Sequence, residues 1–112
     1  ESNLKELFGA RVAELRKKHH LSQQQLADLV GFKLIGISQI ERGLKFASEK
    51  YSETSAAFDC EPKDLFSFEV KRILTKEEKT AIADIKTMLE NHPEIIKDAF
   101  AFVVEKVNNQ NN

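Results

Sequence analysis

An all-α fold is predicted: a helical domain over residues 1–72, a C-terminal helical pair over 73–107 and a polar tail at 108–112. Three observations predict it. Apolar residues recur at spacings of three and four, with no alternation that would mark a strand. Ser22 with Gln25, and Thr75 with Glu78, form the serine/threonine-x-x-glutamine/glutamate pattern that starts a helix. Glycines at 31 and 43, and the run Asn91-His92-Pro93, stand where helical periodicity stops.

Leu4, Leu7, Phe8, Val12 and Leu15 make the apolar stripe of an amphipathic helix from about residue 3 to 18. The capping box at Ser22 then opens a short helix that carries Leu26, Leu29 and Val30 and ends at Gly31. A further helix is expected over roughly Lys33 to Arg42, with Ile37 and Ile40 inward and Gly43 as its stop, so about three residues join the two. Ser48 is expected to cap a helix through about Phe58, with Tyr51, Thr54, Ser55 and Phe58 as its inner face. Pro62 suits the first position of a short turn that returns Leu65 and Phe66 to the core. Thr75 launches a helix to about Glu90 with Ile82, Ile85 and Leu89 on one face. The last helix, Pro93 to about Val107, is richly apolar, and Asn108–Asn112 has nothing to bury and is expected to be disordered.

Composition narrows the function classes. With 112 residues, 41% of them hydrophobic and 31% charged, the chain has material for one core and an appended helical element. Its longest apolar run, Ala99 to Val104, is far too short for a membrane span, and the opening Glu1-Ser2-Asn3 shows no secretory pattern. Cys60 is the sole cysteine, which forbids an internal disulfide and a multi-cysteine zinc site and makes a reducing, cytoplasmic setting the expectation. The formal net charge is −1, with residues 1–72 holding 12 Lys+Arg against 11 Asp+Glu, so any basic surface must come from local clusters such as Arg11, Arg16, Lys17 and Lys18, or Lys33, Arg42 and Lys45.

The informative segment is Gln23 to Arg42, QQQLADLVGFKLIGISQIER. Two helices that meet at a sharp angle need inward apolar residues, a small residue at their crossing and a left-handed turn. Leu26 and Val30, Ala27, and Gly31 stand at those offsets, and Phe32, Ile37 and Ile40 complete a buried wedge. An ordinary helical hairpin has no need of this full set, so the segment is read as a helix-turn-helix.

Residues 4 to about 66 resemble the Cro/repressor-like, or Xre-type, helix-turn-helix family, a five-helix DNA-binding domain. The resemblance is carried by Gly9, Leu15-Arg16, Leu21-Ser22-Gln23, Leu26-Ala27, the run Ile37 through Gly43, and Glu61 through Phe66. It implies that the second helix of the motif lies in the major groove with Lys33, Leu34, Ile35, Ser38 and Gln39 toward the bases. Gln39 suits adenine, and Lys33 a guanine edge or a phosphate. Leu34 and Ile35 depart from the polar residues common there and suit either thymine methyl groups or a protein surface. Gly36 is a second departure, costing about 0.8–1.0 kcal/mol of helix propensity against alanine. By the same resemblance Gln23 meets phosphate at a helix terminus, Arg42, Lys45 and Arg11 are further phosphate candidates, and Arg16 with Glu41 forms a structural ion pair.

Enzymatic readings find little support, and no cofactor is expected. The four glycines form no phosphate loop, His19-His20 and His92 lack metal-ligand spacing, and Cys60 suits a small buried apolar role. Glu77-Glu78 falls in the first turn of a helix, where negative charge favours the macrodipole. The expected function is therefore a sequence-specific double-stranded DNA-binding regulator, a homodimeric repressor with no membrane association. Its dimer surface would be Pro93 to Val107, with Ile82, Ile85 and Leu89, unless these pack on their own domain. The alternative is a protein-binding helix-turn-helix module, such as an antitoxin or a regulator's partner, using Leu34 and Ile35.

Overall fold

The structure is a computed structural model whose described residues are 4–68 and 74–91, and these are all-helical. Helix α1 spans Leu4–Lys18, α2 Gln23–Val30, α3 Leu34–Glu41 and α4 Tyr51–Ala57; a 3₁₀ turn covers Pro62–Phe66, and α5 runs from Lys76 to Asn91. The expected helix from Pro93 to Val107 and the tail after it lie outside the described residues.

The amphipathic stripe of α1 does what its spacing demands: Leu4, Phe8, Val12 and Leu15 are all buried. Phe8 is the hub of an aromatic cluster, its ring centroid 5.1 Å from Phe66, 5.6 Å from Phe46 and 5.8 Å from Tyr51. One turn of α1 therefore ties together the loop after α3, helix α4 and the 3₁₀ turn. Next to Phe8, Gly9 lets α1 approach the end of α3, because a Cβ there would overlap the carbonyl oxygen of Ile40. A side chain at this point would hold the two helices apart.

Helix α4 corrects one expectation. Ser48 does not cap it: its φ of +57° is left-handed, whereas a capping residue is extended. The helix starts at Tyr51, and Lys50 precedes it with no side-chain cap. The inner face holds as expected, with Tyr51, Thr54, Ser55 and Phe58 buried. Two of its three hydroxyls are satisfied by the helix's own backbone, Thr54 Oγ1 donating to the Lys50 carbonyl at 2.6 Å and Ser55 Oγ to that of Ser52 at 3.0 Å. Local bonds of this kind let Thr54 and Ser55 be buried on an otherwise apolar face.

The second capping box is complete: the Thr75 N–H donates to Glu78 Oε1 at 2.8 Å and the Glu78 N–H to Thr75 Oγ1 at 3.0 Å. From this start α5 packs on the 3₁₀ turn, and Ile82, Ile85 and Leu89 join the core of their own chain. These three side chains are thus already covered and do not offer a dimer surface. On the outside Lys63 pairs with Glu90, an exposed contact that adds little to stability.

Candidate nucleic-acid interface

Sequence dictates the angle between α2 and α3 at three points. At the start of α2 the capping box forms as written: the Gln25 N–H donates to Ser22 Oγ at 3.0 Å and the Ser22 N–H to Gln25 Oε1 at 2.8 Å. At its end Gly31 takes φ +84° and donates its N–H to the Ala27 carbonyl, the left-handed stop that turns the chain within three residues. Between the helices Leu26, Ala27, Val30, Ile37 and Ile40 are buried, while Phe32 is half-buried at the wedge's edge.

A polar brace fixes the outer end of the motif. Arg16 lays its guanidinium along Glu41, Nε to Oε2 at 2.6 Å and Nη2 to Oε1 at 3.1 Å, and donates Nη1 to the Leu21 carbonyl at 2.8 Å. Only 14% of the Arg16 side chain and 8% of Glu41 are exposed, so this fork is largely removed from water. Its hydrogen bonds to Glu41 push the guanidinium still further above its ordinary range, against the opposing effect of burial. Gln23 Nε2 donates to the same carboxylate at 3.1 Å. One glutamate at the end of α3 therefore positions α1, the loop before α2 and the first residue of α2.

With the motif fixed, α3 divides by its own periodicity. At 100° per residue, Leu34, Ser38, Arg42, Ile35 and Gln39 fall within an arc of roughly 140°, and Gly36, Ile37 and Ile40 fall on the opposite side. Burial follows that division. Gly36, Ile37 and Ile40 are buried; Leu34, Ile35 and Arg42 are exposed; Ser38 and Gln39 are half-buried. Leu34 and Ile35 keep 45% and 64% of their surface open to water at the leading end of the helix. Lys33, exposed and extended, stands immediately before them as the N-cap residue without a side-chain cap bond.

Two lysines frame the turn. Lys45 Nζ lies 5.4 Å from the centroid of Phe32 and Lys50 Nζ lies 6.0 Å from it. Lys45 Nζ would sit 3.5 Å from a Cβ at Gly36, and Lys50 Nζ 3.3 Å from one at Gly31. A Cβ at Gly36 would make only ordinary van der Waals contact with Lys45 and Phe32, so packing does not demand glycine there. Lys50 carries no local signal in the sequence, because only the left-handed turn at Ser48 returns it to Phe32. Arg11 goes elsewhere: it pairs with Glu14 and donates Nε to the Asp64 carbonyl at 3.2 Å, beside the 3₁₀ turn. The structure does not bring it to the α3 set.

Away from this face, an open cleft of about 560 Å³ is lined by Ala56, Asp59, Cys60, Glu61 and Asp64. Cys60 is half-buried, and burial, then Asp64, pushes its thiol up, which keeps it protonated and poorly nucleophilic at neutral pH. Asp64 is occupied in accepting the Glu61 N–H at 2.9 Å. Among the described residues no group of three or more His, Cys, Asp or Glu could hold a metal ion, and no helix is long and apolar enough to cross a membrane.

No curated protein matches the chain. The helix-turn-helix family model matches residues 12–65, a span that runs from the core of α1 through α2, α3 and α4 to the 3₁₀ turn. The match, the left-handed turn at Gly31 and the braced, outward-facing α3 agree: residues 12–65 belong to the Cro/repressor-like, Xre-type helix-turn-helix family of DNA-binding regulators.

Proposed function

We propose that this chain is a sequence-specific double-stranded DNA-binding transcriptional regulator, acting in the cytoplasm as a homodimeric repressor rather than as an enzyme. The observation that carries the reading is the outward arc of α3 flanked by Lys33, Arg42, Lys45 and Lys50, none of which has a carboxylate partner among the described residues. A helix face with unneutralised cations at both ends and in the turn before it suits a groove walled by phosphates.

Within this reading Lys33, Leu34, Ile35, Ser38 and Gln39 face the bases. Arg42, Lys45 and Lys50 meet phosphates, and Gln23 presents the first turn of α2 to another. Arg11 is left out because its guanidinium is engaged beside the 3₁₀ turn. One recognition helix makes few base contacts, so useful specificity calls for two copies on half-sites about one helical turn apart. The apolar residues between Pro93 and Val107, Phe100 and Phe102 among them, are the surface the sequence offers for that pairing. Such a dimer represses by occupying the groove at a promoter.

Selecting sites for the purified protein from a random pool of double-stranded DNA tests the proposal. Enrichment of a two-fold-symmetric sequence is the expected result, and a pool that stays random contradicts it. The exposure of Leu29, Leu34, Ile35 and Leu44 favours a second reading, a protein-binding helix-turn-helix module such as an antitoxin. Under that reading the partner's affinity changes little with salt, because few counterions are released.

A further inference from the structure

We propose that Leu34 and Ile35 are specificity-determining residues that read the C5-methyl groups of pyrimidines on the major-groove floor, so that the protein distinguishes thymine from uracil and 5-methylcytosine from cytosine. The inference rests on the DNA-binding reading above and names what that site recognises. Its starting point is a mismatch between place and chemistry: the two most forward side chains of α3 are large, exposed and without any hydrogen-bonding atom.

Helical side chains lean toward the N-terminus, so residues in the first turn project beyond the end of the helix. Leu34 and Ile35 occupy that turn, Gly36 adds no side chain, and Ser38 and Gln39 follow a turn later, half-buried. Leu34 and Ile35 are therefore the first groups of α3 to reach a surface it enters. Every base pair shows that surface donors or acceptors, and the single apolar group among the four bases is the thymine methyl. Pressing leucine or isoleucine against the N7, O6 or N4 edges would strip those atoms of water and return nothing. Against a methyl group the same contact removes apolar surface from water on both sides. 5-Methylcytosine carries that methyl on the same ring carbon and is recognised by the same contact.

The surroundings favour DNA over an apolar protein groove as the occupant. Lys33 directly precedes the pair in the chain, and Lys45 and Lys50 both lie over the Phe32 ring in the turn that leads to it. The apolar tip thus follows directly on a cationic turn, an order of charges that suits a methyl-bearing floor beside phosphate walls.

The test uses the full chain and a site recovered by selection, rebuilt with deoxyuridine replacing thymidine one position at a time. At one or two positions in each half-site the loss of the methyl should weaken binding roughly fourfold, the value of one buried methyl group. At the same positions a cytosine should bind roughly fourfold more weakly than 5-methylcytosine. The variants Leu34→Ala and Ile35→Ala should bring the thymine-to-uracil ratio at their own positions to one while leaving the salt dependence unchanged. Both are surface changes, and a native circular dichroism spectrum and melt establish that the variants fold. Equal affinity of the wild-type chain for the thymine and uracil sites overturns the proposal, as does a ratio that survives in both variants. A selected site read without methyl dependence overturns this inference alone, whereas failure to select any DNA overturns the DNA-binding reading with it.

Discussion

At the residue scale, the arrangement separates side chains that hold the motif from those that use it. Arg16 and Glu41 belong to the first kind: their fork is largely out of water, so removing one partner strands a charge. Glu41→Ala should lower unfolding free energy by about 3 kcal/mol, read from the denaturant midpoint. Exchanging both residues for apolar ones of similar volume should recover much of that loss. Gln39 and Arg42 are proposed to be of the second kind. Gln39→Ala should cost about 1–3 kcal/mol on the selected site and relax preference at one base pair, whereas Arg42→Ala should weaken all DNA sequences alike. Competition binding against a panel of single-base variants checks both, and a uniform loss from Gln39→Ala contradicts its base-reading role. Gln23, by contrast, is held by Glu41, so the same carboxylate that supports the fold also positions a residue proposed to meet a phosphate.

At the element scale, close approach and burial decide behaviour. Gly9→Ala gains about 1 kcal/mol of helix propensity in α1, yet its methyl meets the backbone at the end of α3. We expect a net destabilisation of about 1–3 kcal/mol, seen as a lower thermal midpoint. Helix α4 carries a pH dependence. Burial pushes the Tyr51 phenol well above its ordinary range, so above about pH 10 the unfolded chain loses a proton that the folded one keeps. Stability is then full below that pH and falls as pH rises, with a slope approaching about 1.4 kcal/mol per unit for this group. Denaturation at a series of alkaline pH values should show the fall, and Tyr51→Phe should remove most of it.

Elements whose signals are local were legible in the sequence. The two capping boxes, the stop at Gly31 and the stripe of α1 each involve residues within four positions of one another. Ser48 was misleading because serine is at home both in caps and in left-handed turns, and the returning loop selects the turn. Of the candidate site, the inward Ile37 and Ile40 of α3 followed from periodicity, and its outward set from the family resemblance. The place of Lys50 and the diversion of Arg11 did not, because each depends on a residue far along the chain.

At the scale of the whole molecule, a formal net charge of −1 and a cationic recognition face coexist because the charges are sorted in space rather than along the chain. Glu41 is neutralised within the motif, while Lys33, Arg42, Lys45 and Lys50, the cations proposed to meet DNA, have no carboxylate partner among the described residues. The inward turn of Ile82, Ile85 and Leu89 makes α5 part of the domain's own core and leaves pairing of two copies to other surfaces. The central claim is that this face grips double-stranded DNA, and it is tested most directly by the affinity for the selected site over a range of salt concentrations. Four cations per copy predict a slope of log K against log salt of about −3 to −4 for one copy, and about −7 for a dimer on two half-sites. A slope near zero, with binding unaffected by loss of Lys45 and Lys50, would contradict the account and give the face of α3 to a protein partner.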